Sequence, residues 1–501
     1  MAAREYPERL AIASPHGDRS YAFLNERVNQ LVRALRARGL VAGDSVALLC
    51  SNRPEFVVAF LATLRSGLRL TPINTELRTR EIRYIIEDCE AKALLADGRF
   101  AKAAADAVRE VRDLSVRIGI ADPIHGFERW DDVLEVESSD DIDDPQLGSQ
   151  MPYTSGTTGR PKGVHRPPGG ALHQPGLAAA IRTLEYDPAT DAHLCTGPLH
   201  HAAPLIFSLA SPLGLGVPVV LMDRWDAEHA LRLISSYRIT HTHMVPVMFR
   251  RLLELPEDVR SGWDVSSLRV VLHGAAPCPP GVKQGVIEWL GPIVYEYYAA
   301  TEGWGCFADS SEWLERPGTV GRPGADAVEV RDLEGKSLPP GREGVIYLRV
   351  PNGGRFEYYR DDAKTRAAYS EPFFTLGDIG LLDAEGYLYL RDRSADVINS
   401  GGVNVYPAEV DAVLVAHAAV ADAATVGAPD DEWGESVVSV VVAADGCVAD
   451  DELAAELSRW CESELASFKC PRRITFADAL PRHENGKIYR RVLRDQFRQA
   501  G

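Results

Sequence analysis

The sequence predicts an α/β chain: a large N-terminal domain of parallel-type αβ layers, a β-rich subdomain after it, and a small α+β domain at the C-terminus. Three observations predict this. Strand-length apolar runs alternate with helically spaced ones between residues 21 and 298, the pattern of parallel strands joined by crossover helices. Past 318 the texture changes, and Gly/Pro loops join strand-like runs. A final portion of mixed texture begins near 391–396, and a length of 501 residues suggests about three domain-sized units.

The elements follow in order. Residues 21–39 read as a helix, with Leu24, Val28, Leu31, Val32 and Leu35 on one face and Gly39 where a C-terminal cap belongs. VALLC at 46–50 reads as a buried strand, and 55–67 returns to helical spacing. The alternation continues through 82–118. Residues 137–150 are acidic and turn-rich, and read as a surface connector. Alternation resumes at 217–254 and 268–298, and 328–350 reads as two strands joined by a loop. Beyond the boundary, 437–444 is strand-like and 450–465 helix-like. The chain divides on this reading into domains 1–392 and 393–501.

Composition excludes several classes. Apolar residues are 45% and charged residues 25%, which rules out disordered, collagenous and disulfide-scaffold chains. The net charge of −18, with no run of five basic residues, argues against a nucleic-acid partner. The eight cysteines form no CxxC pair, so neither a zinc nor a redox motif is visible, and a reducing, cytoplasmic setting is expected. No signal peptide is expected from the N-terminus. From Ala192 to Met222 there is no charged residue, but Pro198, Pro204, Pro212 and Pro218 interrupt it. A lipid-exposed helix so broken could not satisfy its backbone. The stretch reads as buried core or pocket wall, with membrane association at most peripheral.

The strongest local signal is YTSGTTGRPKGV at 153–164. Thr154, Ser155, Thr157 and Thr158 offer hydroxyls; Gly156, Gly159 and Gly163 let backbone N–H groups approach an anion; Lys162 adds a point charge. This composition suits a polyphosphate. It is not the loop of kinases and GTPases, which needs Gly, Lys and Ser/Thr in succession; here Pro161, Lys162 and Gly163 stand there.

On this loop the chain resembles the adenylate-forming superfamily of acyl-CoA synthetases, luciferases and peptide-synthetase adenylation domains. The resemblance runs from the helix at 21–39 to GKIYRR at 486–491. It implies that the loop, through Thr154, Ser155, Gly156, Thr157, Thr158, Gly159 and Lys162, binds ATP. In YEYYAATEG at 295–303, it implies that Tyr298 stacks on adenine, Thr301 meets phosphate oxygens and Glu302 holds Mg²⁺; a hard cation wants carboxylate and phosphate oxygens together. The family usually has Gly where this chain has Ala299.

HGAAP at 273–277 matches the turn behind the adenine, where Gly274, Ala275 and Ala276 are small enough for a flat ring. Asp378 in TLGDIG and Arg393 match the ribose-binding pair, and an ionised Asp can accept two O–H donors. Lys487 matches the lysine that reaches both carboxylate and α-phosphate, a cation where charge develops. His201 matches a histidine beside the acyl pocket and thiol route, with His200 leaving open which imidazole points inward. Gly303, Gly401 and Gly402 match positions on the acyl and coenzyme A route.

The implied activity joins a hydrophobic carboxylic acid, a medium- or long-chain fatty acid or a bulkier lipophilic acid, to coenzyme A. ATP and acid give acyl-AMP and pyrophosphate on Mg²⁺, and the thiol then displaces AMP. Between the steps the mobile C-terminal domain rotates. The pivot, usually Asp or Lys, falls at Ala395, so Asp396 is an alternative. Two other functions stay open: an adenylating enzyme that loads a carrier protein, and a non-catalytic nucleotide-binding protein. Monomer and homodimer are both compatible with the sequence.

Overall fold

A computed structural model describes residues 2–154, 161–169, 175–276, 278–332, 334–351, 354–393, 396–400, 403–430, 434–465, 467–482 and 488–499. Two parallel-type sheets with helices between and outside them make up the bulk of the chain. The first runs, edge to edge, through Gly303–Ala308, Val294–Ala300, Val270–His273, His241–Met244, His193–Cys195, Val219–Leu221, Leu10–Ala13 and Arg19–Ser20. Its inner pairs are parallel, and antiparallel hairpins close both edges. The second sheet, Glu128–Arg129, Val116–Ile120, Ala91–Asp97, Ser45–Leu49, Arg69–Pro72 and Ser149–Gln150, is parallel throughout.

Alternation along each strand sorts side chains to opposite faces. Ile12, Cys195, Val219 and Leu221 of the first sheet share a core with Val46, Leu48 and Leu95 of the second. The helices Tyr21–Ala37 and Pro54–Arg65 fill the space between them. The next residues in each strand, Ala13, Leu194 and Val220, face the outer helices Ala227–Tyr237, Pro246–Leu253 and Pro280–Leu290. Ala47, Leu49 and Ala96 face Thr79–Asp88 and Ala101–Val108.

The helix at Tyr21–Ala37 forms as its spacing predicts. The Ser20 hydroxyl accepts from the Phe23 N–H at 3.2 Å as N-cap, and Gly39 just past the end has φ +87°, which only Gly adopts without strain. Leu24, Val28, Leu31, Val32 and Leu35 are all buried, each side chain contributing about 1.5–3 kcal/mol. The acidic connector is pinned to this helix: Arg33 donates to the Asp140 carbonyl at 2.6 Å, and Arg36 pairs with Asp144 at 2.8 Å.

The uncharged stretch from Ala192 to Met222 is mostly buried, with Gly214 and Leu215 exposed. It divides into the strand His193–Cys195, a π-helical segment Pro204–Ala210, the short helix Ser211–Gly214 and the strand Val219–Leu221. No helix among the described residues is long and apolar enough to cross a membrane.

The β-rich portion is antiparallel. Val328–Arg331 pairs with Gly344–Arg349, which pairs with Phe373–Leu382, and Leu388–Arg393 completes that edge. A small sheet of Tyr153–Thr154, Lys162–His165 and Glu357–Tyr358 joins this portion to the glycine-rich loop. The last sheet gathers Ile398–Ser400, Val403–Val405, Val420–Asp430, Gly434–Ala443 and Arg473–Phe476, packed by the helices Pro407–Val415 and Asp451–Glu464. The Asp450 carboxylate caps the second of these helices.

Candidate active site

One strand collects the site. Val294–Ala300 turns directly back into Gly303–Ala308, with Ala300 opposite Gly303, so Thr301 and Glu302 are the two residues of a hairpin tip. A helix N-cap, the ordinary setting for a Thr-Glu pair, is not what forms here. Apolar residues on both strands drive the pairing: Tyr297, Cys306 and Ala308 are buried.

Two residues of that strand, Tyr297 and Tyr298, meet different predicted pieces. The Tyr297 ring and carbonyl close on Gly274, where a Cβ would lie 2.6 Å from the ring. Any side chain at Gly274 would collide, so the turn after Val270–His273 lies flat against the strand. Ala275 carries φ +68° and is exposed, and Ala276 is half-buried. The Tyr298 hydroxyl donates to Asp378 Oδ2 at 2.6 Å, and the tyrosine ring rests on Gly305. Gly303 packs under Phe374.

Asp378 owes its position to a bulge. Val345 pairs with Ile379 and Tyr347 with Thr375, so residues 376–378 crowd opposite one partner. Gly377, at φ +76°, absorbs the distortion. Asp378 therefore turns inward and lies opposite Arg393 in the neighbouring strand pair.

The glycine-rich loop springs from the hairpin stem in which Thr154 pairs with Lys162. Lys162 Nζ pairs with Asp361 at 2.7 Å. That contact raises the ammonium pKa and lowers that of the Asp361 carboxyl. The stem is held from outside by Tyr84, which donates to the Pro161 carbonyl at 3.2 Å, and by Tyr153, which donates to Asp88 at 2.6 Å.

Four residues that sequence reading missed complete this corner. Arg166 donates to the carbonyls of Thr301, at 2.8 Å, and Glu302. Tyr358 donates to Glu302 Oε1 at 2.8 Å. Lys364 lies over the Tyr358 ring at 4.2 Å, and burial lowers its pKa. Asp361 is the fourth. The signal that could have found the last three is the run EYYRDDAK at 357–364, dense in aromatic and charged residues within a β-rich portion.

Glu302 is buried, and its Oε2 makes no hydrogen bond among the described residues. Those residues contain no group of three His, Cys, Asp or Glu side chains placed to hold a metal. A single carboxylate at a hairpin tip fits a magnesium ion that takes its other ligands from phosphates and water, and not a fully caged one.

His200 and His201 differ in exposure. His200 is buried, and burial pushes its pKa down to about 3; His201 is half-buried. Two residues on, Ala203 packs with Phe207, Tyr297, Ala299 and Trp304 in an aromatic cluster beneath the hairpin. The His243 ring meets the Tyr297 hydroxyl there at 2.9 Å, and burial lowers the His243 pKa to about 4. Ser155, Gly156, Thr157, Thr158, Gly159, Ala395, Gly401, Gly402 and Lys487 lie outside the described residues, as does the side chain of Arg393.

The chain matches the AMP-binding enzyme family over residues 1–358 and the AMP-binding enzyme C-terminal domain over 409–487. It is 33% identical to an indoleacetate–CoA ligase of Aromatoleum aromaticum, covering 98% of this chain and 95% of the relative. It is 32% identical to a long-chain-fatty-acid–CoA ligase of Mycobacterium tuberculosis, covering 98% and 96%. Among solved structures, ATP-bound MatB from Rhodopseudomonas palustris superposes with a TM-score of 0.84 at 28% identity, covering 100% of this chain and 99% of that one. The o-succinylbenzoate CoA synthetase of Bacillus subtilis, in complex with its acyl-adenylate intermediate, gives 0.81 at 28%, covering 99% and 97%. The chain belongs to the AMP-binding enzyme family of adenylate-forming acyl-CoA synthetases.

Proposed function

We propose that this AMP-forming acid–CoA ligase activates a hydrophobic carboxylic acid, a medium- or long-chain fatty acid or a bulkier lipophilic acid. A carboxylate resists thiol attack because its leaving group would be oxide. Transfer to the α-phosphate of ATP releases pyrophosphate and makes AMP the leaving group. Coenzyme A thiol then attacks the acyl carbon and displaces AMP.

The carrying observation is the strand Val294–Ala300 and its tip, which bring the Gly274 turn, Asp378 and the Thr301–Glu302 pair beside the stem of the glycine-rich loop. In this reading the loop, Thr154 to Lys162, holds the triphosphate. Tyr298 and Gly274–Ala276 take the adenine, and Asp378 with Arg393 takes the ribose. Thr301 meets phosphate oxygens. Glu302 would hold magnesium, whose chemistry is to neutralise phosphate charge. Lys487 supplies the cation between carboxylate and α-phosphate. His201, Gly303, Gly401 and Gly402 line the acyl and thiol route.

The domain boundary falls at 392/393, and 393–501 rotates about Ala395 or Asp396 between the two steps. The aromatic cluster of Phe207, Tyr297 and Trp304 under the hairpin supports an apolar acid. The indoleacetate and long-chain-fatty-acid ligases among the relatives support the same range.

The test is a panel of carboxylic acids with ATP, Mg²⁺ and coenzyme A, read by thioester mass and pyrophosphate release. Expected is thioester with aryl or fatty acids and none with oxalate. Pyrophosphate release without thioester, cured by a carrier protein, would replace coenzyme A as the acceptor.

A further inference from the structure

We infer that Arg166 is a positioning residue for adenylation: its guanidinium holds the Thr301–Glu302 tip against the strand that leads out of the glycine-rich loop. The inference rests on the acyl-adenylate reading above. Arg166 directly follows the strand Lys162–His165. Nη1 donates to the Thr301 carbonyl at 2.8 Å and Nη2 to the Glu302 carbonyl. Nε lies 3.5 Å from the Gly354 carbonyl, and the guanidinium carbon is 5.7 Å from the Phe356 ring centroid. Among the described residues no carboxylate forms an ion pair with Arg166.

A hairpin tip is ordinarily the least constrained part of a sheet. Here two N–H groups of one planar fork grip two successive carbonyls, which fixes both the height and the rotation of the tip. Tyr358 fixes the Glu302 side chain separately, through Oε1. The backbone of the pair and its carboxylate are thus set by residues on either side of the loop stem. All three hydrogen bonds of the guanidinium go to backbone carbonyls, so its hold on the tip does not depend on the ionisation of a partner side chain.

The position of the tip should matter in one half-reaction. The β- and γ-phosphates leave as pyrophosphate before the thiol attacks, so a residue acting through Thr301 and Glu302 serves adenylation and not thioester formation.

The experiment uses the full-length chain with Arg166→Met and Arg166→Lys. Acid-dependent ATP–pyrophosphate exchange reports the first step. Thioester formation from synthetic acyl-adenylate and coenzyme A reports the second, and thermal melting reports folding. Arg166→Met is expected to lower the exchange kcat about 10–100-fold. The acid KM and the second step should stay within about two-fold. Arg166→Lys should keep the melting temperature but not recover kcat, because one ammonium cannot span both carbonyls. Wild-type exchange kinetics in either variant, or equal losses in both steps, overturn the inference. If Arg166→Met does not fold, Arg166→Lys decides on the same criteria. Absence of exchange in the wild-type chain with every acid overturns the ligase reading and the inference with it; wild-type exchange beside an unaffected variant overturns the inference alone.

Discussion

Tyr298 and Asp378, far apart in the chain, meet inside the protein, the tyrosine hydroxyl donating to Oδ2 of the carboxylate at 2.6 Å. In the proposed reading one residue takes the adenine and the other the ribose, so this hydrogen bond would tie the two halves of a nucleoside site. The bond sets the carboxylate's direction while the tyrosine ring rests on the Gly305 backbone.

Tyr298→Phe keeps the ring and removes that bond. Hydrogen bonds to charged groups contribute about 1.5–3 kcal/mol, so the ATP KM is expected to rise about ten-fold while the acid KM stays unchanged. Asp378→Asn should raise it further, because the amide keeps only one accepting oxygen and no charge for the two ribose hydroxyls. Exchange kinetics at varied ATP measure both. A rise in acid KM alone would contradict the assignment.

Glu302→Gln removes the charge but leaves an oxygen for the Tyr358 hydroxyl. Adenylation should fall on the order of 100-fold, with a higher magnesium requirement. Thioester formation from supplied acyl-adenylate should survive. A magnesium titration of both half-reactions checks this.

Lys487→Ala is expected to abolish adenylation while sparing thioester formation from acyl-adenylate within about three-fold, if its cation serves the attack on phosphorus as proposed. Equal loss in both steps would sink the assigned role.

Buried histidines make the fold acid-sensitive. Burial pushes His200 down to about 3 and His243 to about 4, and lowers His193, His241 and His273 as well. Below about pH 6.5 the unfolded chain takes up protons that the folded chain refuses, so the contribution is complete above 6.5 and declines as pH falls toward 4. The slope is up to about 1.4 kcal/mol per pH unit for each histidine. Glu296, raised by burial, opposes this but is one group against five. Melting temperature should fall steadily between pH 6.5 and 4, and His243→Asn should flatten the curve. A flat profile over that range would refute the account.

Lys283 and Glu296 form a buried pair at 2.6 Å behind the Gly274 turn, with His273 Nε2 3.8 Å from the same carboxylate oxygen. Lys283→Met strands the carboxylate and should cost about 3–5 kcal/mol in urea unfolding. Adding Glu296→Gln should recover part of the loss, because the remaining buried group is then neutral. No recovery in the double variant would mean that the contact of the Lys283 ammonium with the Trp313 ring, 5.0 Å to its centroid, and not the pairing with Glu296, sets the cost.

Much of the architecture is legible in the sequence because burial on one or two faces imposes a period. The stripe Leu24, Val28, Leu31, Val32 and Leu35 can bury together only as a helix, and Val328–Arg331 and Gly344–Arg349 alternate about a turn. The motif residues Gly274, Tyr298, Glu302 and Asp378 are likewise legible, because their residue types match a family pattern. Arg166, Tyr358, Asp361 and Lys364 are not. Arg166, Tyr358 and Asp361 meet partners far along the chain, and Lys364 meets the Tyr358 ring at no regular period.

The sequence by itself determined the layered α/β class and the family, since these follow from local spacing and residue type. Only the tertiary structure decided that Thr301 and Glu302 form a hairpin tip, that Asp378 turns inward at a bulge, and that Arg166 and Tyr358 hold the tip. Those outcomes depend on strand register and on contacts between distant segments, which become definite only when the sheets pack.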